Sequence, residues 1–364
     1  MKILTVVGAR PQFVKMAPVS RALRSRHTEY VVHTGQHYDD SLSGGFFRDL
    51  EIAEPDLNLA VGSGSHAEQT GAAMIGIERA IAAQRPDLVL VFGDTNSTLA
   101  GALAAAKLRV PLAHVEAGLR SFNRAMPEEI NRVLTDHCSD LLFAPTRTAV
   151  EHLGREGIER GVHWVGDVMY DTALALSASA DGRLQDLAAS HGLARKAFYL
   201  ATVHRAENTD DRARLGAIFK ALMSTGLPVL LPLHPRTEKM LRSHNLWDRV
   251  QASDDLKTIG SVGYLDMLAL ERGAKAILTD SGGVQKEGYF AGTPVVTLRE
   301  ETEWPETVDA GWNQLAGADT ARILAALART KPGRPIADYG DGTAARRIAE
   351  AIDGWAAESV TRRN

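Results

Sequence analysis

Three carboxylates and a group of basic and glycine-rich turns carry the chemistry of this sequence. Asp94 stands in Gly93-Asp94-Thr95-Asn96, Glu116 in Glu116-Ala117-Gly118, and Glu128 in Pro127-Glu128-Glu129. Asp94 and Glu116 each follow a short apolar run, Leu88–Phe92 and Pro111–Val115, so on neighbouring strands their carboxylates converge. Crowded carboxylates that cannot all ionise acquire shifted pKa values, which suits proton transfer. Each acid also has a plain structural reading. Asp94 can cap a helix begun at Asn96 or Ser97. Glu128 sits where acids favour a first helical turn and is spaced i,i+4 from Arg132. His204 and His234 end the runs Phe198–Val203 and Pro228–Leu233, and each reads equally as a proton-transfer group or as a buried, hydrogen-bonded histidine.

Asp280-Ser281-Gly282-Gly283 is the best anion site, because it joins an apolar run, Ala276–Thr279, to a helical pattern at Val284–Ala291. The first amides of a helix have no internal partner and carry the positive end of its dipole. Gly282 and Gly283 let a phosphate approach the backbone, and Ser281 adds a hydroxyl. Glu287, one turn on, can accept from a ribose diol. A glycine turn capped by Ser281 is the competing reading. Gly8-Ala9-Arg10-Pro11 opens another helix with Pro11 suited to its first position, which places Arg10 and Lys15 to grip a diphosphate or to lie solvated on a helix face. Neither a Walker A loop nor a Gly-x-Gly-x-x-Gly turn after the first strand is present, and Gly62-Ser63-Gly64 follows no strand.

The elements that must hold these groups alternate along the whole chain. Apolar runs at Ile3–Val7, Tyr30–His33, Leu88–Phe92, Pro111–Val115, Leu141–Ala144 and His163–Val165 predict one set of strands. Runs at Phe198–Val203, Pro228–Leu233, Ala276–Thr279 and Pro294–Leu298 predict a second. Helical patterns lie between them at Phe13–Arg24, Thr98–Leu108, Pro127–Cys138, Leu215–Met223 and Val284–Ala291. Strand alternating with helix predicts α/β doubly wound parallel sheets, here in two Rossmann-like domains joined near Gly166-Asp167. The stretch Ala173–Arg195 reads as helix plus surface loop. Ala344, Ile348, Ile352 and Trp355 share one helical face, so that tail should dock. Ligands of open parallel sheets bind beyond the carboxyl ends of the strands. Polar turns following six strands therefore predict a central cleft between facing domains.

Bulk composition narrows the class. The sequence of 364 residues is 45% hydrophobic and 24% charged, ordinary for a globular protein. At roughly 100–200 residues per domain that length predicts two domains. A formal net charge of −4 gives no basic field for nucleic acid. The single cysteine, Cys138, excludes an internal disulfide and any cysteine-based metal motif, which fits a reducing, cytoplasmic setting. No apolar run approaches the ~18 residues that cross a bilayer, and Met1–Gly8 reads as a buried strand.

Taken in order, these segments resemble the non-hydrolysing UDP-N-acetylglucosamine 2-epimerase family over nearly the whole chain. The carriers begin with Gly8-Ala9-Arg10-Pro11 and Lys15, Thr34-Gly35-Gln36-His37, Gly93-Asp94-Thr95-Asn96-Ser97 and His114-Val115-Glu116-Ala117-Gly118-Leu119-Arg120. They continue through Pro127-Glu128-Glu129-Ile130-Asn131-Arg132, His204-Arg205, His234-Pro235, Asp280-Ser281-Gly282-Gly283 and Thr302-Glu303-Trp304-Pro305-Glu306. The resemblance implies a GT-B-like architecture. Residues 1–167 plus 340–364 would form an N-terminal domain with the acids, and residues 168–339 a C-terminal UDP-binding domain. It implies a catalytic set of Asp94, Glu116, Glu128 and His204, with Arg10, Lys15, Arg132, His234, Ser281, Gly282, Gly283 and Glu287 binding the UDP-sugar. It implies no metal and no cofactor, a homodimer, and a place in surface polysaccharide precursor synthesis. The implied reaction interconverts UDP-GlcNAc and UDP-ManNAc by elimination of UDP to 2-acetamidoglucal and re-addition. Many members carry threonine, glutamate and a second glutamate where this chain has Ala9, Gln12 and Lys286. Those residues resemble a sister branch that epimerises UDP-2,3-diacetamido-2,3-dideoxyglucuronate, the alternative substrate. A GT-B glycosyltransferase is a more distant alternative. Gln36 and His37 lie in the segment corresponding to an allosteric substrate site of bacterial members.

Overall fold

The computed structural model describes residues 1–35, 50 and 52–363, so Gln36 and His37 lie outside the described residues. Two compact units emerge, Met1–Thr172 with Ala337–Asn364, and Ala173–Ile336. Each is an α/β unit built on one parallel sheet.

The first unit contains β1 (Lys2–Val7), β2 (Thr28–His33), β3 (Leu57–Asn58), β4 (Leu88–Phe92), β5 (Leu112–Val115), β6 (Leu141–Ala144) and β7 (Val162–Trp164). Their order is β3-β2-β1-β4-β5-β6-β7. The second unit contains β8 (Tyr199–Thr202), β9 (Val229–Pro232), β10 (Leu256–Ile259), β11 (Ala276–Thr279), β12 (Val295–Thr297) and β13 (Asn313–Leu315), in the order β10-β9-β8-β11-β12-β13. All pairings are parallel. Central strands of such sheets are covered on both faces and read as unbroken apolar runs. All five residues of β4 and all four of β5 are buried accordingly. Three strands lacked that signal: β3, β10 and β13 had not been expected.

The order of strands fixes where polar turns gather. Chain direction across each sheet reverses beside its first strand, between β1 and β4 in one unit and between β8 and β11 in the other. Crevices open at such switch points outside the carboxyl ends of the strands. The turns leaving β1 and β4 carry Arg10 and Asp94, and those leaving β8 and β11 carry His204 and Ser281.

Helices cover both sheets. The helix Ala344–Arg363 packs on Arg10–Arg24 within the first unit and buries Ala344, Ala345, Ile348, Ala349 and Ile352. Its first amides at Ala344 and Ala345 donate to Asp171 at 3.2 and 2.8 Å. The stretch expected as one helix and a loop forms two helices, Val168–Ala175 and Ser177–Ser190, before its loop. None of the described helices is long and apolar enough to cross a membrane.

Candidate active site

In the first unit, β4 and β5 run side by side with Phe92 opposite Val115, so Asp94 and Glu116 leave adjacent strands two and one residues later. Gly93 bends the first turn at φ +63°, and Glu116 itself stands at φ +75°, an uncommon conformation for a residue with a side chain. Asp94 and Glu116 each have a cation beside them. Glu116, 7% exposed, forms an ion pair with Lys15 from the first helix. Asp94 Oδ2 accepts from Arg132 Nε at 2.9 Å and forms an ion pair with Nη2 at the same distance. Arg132 Nη1 also donates to Glu129 at 2.8 Å, and Asn131 ties the Asp94 carbonyl at 2.9 Å. Glu128 is half-buried in the first turn of Pro127–Cys138. Asp94 does not cap the following helix: Thr95 does, in a reciprocal box with Thr98, which leaves the carboxylate of Asp94 for Arg132.

The turn after β1 is seated against this cluster. A Cβ on Gly8 would lie 2.0 Å from Ser97 Oγ and 2.2 Å from Thr34 Oγ1, so only glycine permits the approach. Ala9 is the N-cap of helix Arg10–Arg24 and offers no side-chain oxygen. Gln12 supplies it instead. Its Oε1 accepts from Gly8 and Ala9 amides at 2.7 and 3.0 Å, while Nε2 donates to Phe92 O at 2.7 Å and Thr98 Oγ1 at 2.9 Å. One buried amide thus fastens the Arg10 turn to the end of β4. Arg10 begins the helix there.

In the second unit the organising group is Asp280, fully buried after β11. It accepts from the amides of His204 and Arg205 and from Asn208 Nδ2, at 3.0–3.1 Å. The turn after β8 is thereby fixed, with the His204 imidazole 3.5 Å from Asp280 and 5.4 Å, centroid to centroid, from the ring of His234. His234 caps its own helix, Pro235–Ser243, by accepting the Arg236 amide at Nδ1, so its proton lies on Nε2. Ser281 caps helix Gly282–Phe290. A Cβ on Gly283 would meet only Glu287 Oε2 at 3.9 Å and Ser281 Oγ at 4.0 Å, and one on Gly282 only Glu303 at 3.5 Å and Arg205 at 3.8 Å. This helix start therefore has room for an anion, with a carboxylate, Glu287, one turn above it. Lys286 is buried, its Nζ 4.3 Å from the centre of the Trp304 ring. Burial, and then the negative charge of Glu287, push the fully buried Glu271 carboxyl well above its ordinary range.

The sequence assigns no positioning role to Gln12 or Asp280 by themselves, and it does not disclose the buried charged face of Pro127–Cys138. That helix buries Glu129, Arg132 and Asp136, spaced i, i+3 and i+7. Charged residues at core spacing are the available signal, beside which the first-turn preference of Glu128 and its i,i+4 spacing from Arg132 are only local readings.

A model of the UDP-N-acetylglucosamine 2-epimerase family matches residues 21–353. The chain belongs to that family. A UDP-N-acetylglucosamine 2-epimerase homolog of Methanococcus maripaludis is 50% identical, covering 97% of this chain and 99% of its own. A UDP-2,3-diacetamido-2,3-dideoxy-D-glucuronate 2-epimerase of Pseudomonas aeruginosa is also 50% identical, over 97% of this chain and 99% of its own. The crystal structure of the Methanocaldococcus jannaschii UDP-GlcNAc 2-epimerase, in complex with UDP-GlcNAc and UDP, matches with a TM-score of 0.91 at 42% identity, over 97% of this chain and 99% of that one. Family members are isomerases with this α/β, GT-B-like architecture.

Proposed function

We propose that this chain is a non-hydrolysing 2-epimerase that interconverts UDP-GlcNAc and UDP-ManNAc. The observation that carries it is the emergence of Asp94 and Glu116 from paired strands, each beside a cation. The proton on carbon 2 is not next to a ketone, so its simple removal leaves an unstabilised carbanion. Carbon 1 bears an excellent leaving group. Removing the C2 proton as the C1–O bond to UDP breaks gives 2-acetamidoglucal and UDP. Protonation from the other face, with return of UDP to C1, gives the epimer. Asp94, Glu116 and Glu128 are the proton-transfer groups. Arg10, His204 and the Ser281–Gly283 turn stabilise the charge that develops on departing UDP, with Glu287 on the ribose and His234 beside the nucleotide. Lys15 and Arg132 act in this reading through the acids they pair, keeping them oriented. The reaction needs no redox cofactor.

A specific observation favours a second substrate. Ala9, Gln12 and Lys286 stand where many members have threonine and two glutamates, and a relative named for UDP-2,3-diacetamido-2,3-dideoxy-D-glucuronate is 50% identical. The deciding experiment supplies each UDP-sugar separately in heavy water without any acceptor. UDP-GlcNAc should epimerise with deuterium at C2, and UDP and acetamidoglucal should accumulate slowly. Turnover of the diacetamido-uronate alone transfers the assignment to that substrate. Product free of deuterium, or free N-acetylmannosamine, removes the elimination–re-addition route. The same reading includes a cytoplasmic homodimer, for which light scattering should give twice the chain mass.

A further inference from the structure

His114, in β5 two residues before Glu116, is fully buried. Its Nδ1 lies 2.7 Å from Asp136 Oδ1 and its Nε2 lies 2.8 Å from the carbonyl oxygen of Gly93. A carbonyl oxygen can only accept, so Nε2 must donate. The carboxylate opposite Nδ1 is equally an acceptor. Asp136 Oδ2 takes the Gly118 amide at 3.1 Å and Arg120 Nη1 at 2.7 Å. Burial would push the Asp136 carboxyl up, but its bonds to His114 and Arg120 outweigh this and hold it below its ordinary range. With the Gly118 amide and the Arg120 guanidinium both donating to Oδ2, the ionised carboxylate is favoured over a protonated Asp136 donating to a neutral ring.

The rest of the network balances the charge. Arg120 Nε and Nη2 engage the two oxygens of Glu156 at 2.7 and 2.8 Å, and Nη1 also reaches Leu119 O at 2.7 Å. His137 lies 3.3 Å from Glu156. Arg120 thus faces two carboxylates, Asp136 and Glu156, with the imidazole of His114 on the other oxygen of Asp136. The bonds end on two turns. His114 holds Gly93 O, next to Asp94. Asp136 holds the Gly118 amide while His152 lies 3.0 Å from the Gly118 carbonyl oxygen, so the turn bearing Glu116 is fixed at both faces of one residue.

We infer that His114 is a buried imidazolium, a positioning residue that links the turn of Asp94 to the turn of Glu116 through Asp136. It touches no reacting atom. Its catalytic consequence rests on the proton-transfer roles proposed above, and its protonation and mechanical role do not. A neutral ring in the same place would leave either Gly93 O or Asp136 Oδ1 facing a lone pair.

Three readouts test this. In the intact protein with 15N-labelled histidine, nitrogen–proton correlation at pH 7 should show both His114 ring nitrogens protonated, assigned by loss of the signal in His114→Phe. A single protonated nitrogen overturns the imidazolium. Hydrogen exchange in His114→Phe should quicken in peptides covering 93–97 and 115–119 while the second unit keeps its protection. His114→Gln, which retains a donor towards Gly93 O, should restore part of the protection at 93–97. It also serves if the phenylalanine variant does not fold. Unchanged exchange in both turns overturns the positioning role. On the substrate that is turned over, His114→Phe should lower kcat about a hundredfold, the scale of a misplacement near 1 Å, with KM and UDP affinity within about twofold. If neither UDP-sugar is turned over by the unaltered protein, the substrate reading fails alone, since the nitrogen spectra and the exchange rates judge His114 without it.

Discussion

Asp94 and Glu116 are held differently, and the difference assigns them unequal freedom. Arg132 takes one oxygen of Asp94 twice, at 2.9 Å, while Oδ1 has no protein partner among the described residues and the side chain is 29% exposed. Glu116 is nearly enclosed with Lys15. A free carboxylate oxygen beside solvent suits a group that must meet substrate, so Asp94→Asn should lower kcat by roughly 10²–10⁴, the usual contribution of a general acid or base. UDP affinity by calorimetry should not change, and deuterium exchange at C2 persisting at the original rate would remove Asp94 from the reaction. Gln12 gives a stability prediction of the same kind. Both its amide protons are used, on Phe92 O and Thr98 Oγ1. In Gln12→Glu a carboxylate oxygen would face the Phe92 carbonyl, at a cost of about 1–3 kcal/mol for the lost donor. The urea midpoint should fall at pH 7, and less at pH 5, where the new carboxyl is more readily protonated. Glu271 reverses the usual dependence of a carboxylate. Its folded-state pKa is raised by burial and then by Glu287, so the folded protein binds the proton more tightly than the unfolded chain. Stability from this group is therefore full below the ordinary glutamate range and is lost as pH rises from there towards the raised value. Glu271→Gln removes the titration. The variant's melting temperature should gain on the parent's between pH 5 and pH 8, and a constant difference would show that the carboxyl stays ionised.

At the scale of elements, the glycines separate strain from freedom. Gly118 stands at φ +80°, and a Cβ there would lie 2.3 Å from Ala149 O, a backbone atom that cannot swing aside. Gly118→Ala should cost at least the ~1–3 kcal/mol of a strained backbone conformation. Gly154, in helix Arg147–Arg155, has nothing within 4 Å of such a Cβ. Gly154→Ala should stabilise by up to ~1 kcal/mol, and the two variants' denaturation midpoints should shift in opposite directions. The same contrast explains what the amino-acid pattern disclosed. Leu88–Phe92 and Ala276–Thr279 are interior strands, buried on both faces, and their apolar runs matched the elements residue for residue. The three strands not foreseen, β3, β10 and β13, are all at sheet edges. An edge strand needs neither a continuous apolar run nor length, and β10 includes the half-buried Lys257 and Thr258. Polar turns after the strands could be found because glycine and charge interrupt apolar sequence. The partners that hold them could not. Arg132 reaches Asp94 across 38 residues and Asp136 reaches His114 across 22, and no local periodicity encodes a pairing of that range.

For the molecule as a whole, the function proposed above assigns the proton-transfer acids to the first unit and most of the nucleotide contacts, Arg10 excepted, to the second. The acid cluster lies in the first unit and the Asp280–Gly283 turn in the second. Variants should therefore divide the activity cleanly. Gly283 is the most informative position, because its substitution need not disturb the fold. Nothing lies within 3.9 Å of a Cβ there, and its φ is not positive. Gly283→Ala should leave the melting temperature of the free protein unchanged or higher, since alanine favours a helical first turn more than glycine does. The same methyl group would stand where an anion must approach the helix amides, so UDP should lose at least about tenfold in affinity, a ~1.4 kcal/mol effect. UDP at a hundred times its Kd stabilises the parent by about 2.7 kcal/mol. At that same concentration Gly283→Ala should retain about half of this stabilisation or less, whereas Asp94→Asn should retain all of it. Equal stabilisation of Gly283→Ala and the parent by UDP would mean that the nucleotide does not use this helix start, and the division of labour drawn here would have to move to another turn of the second sheet.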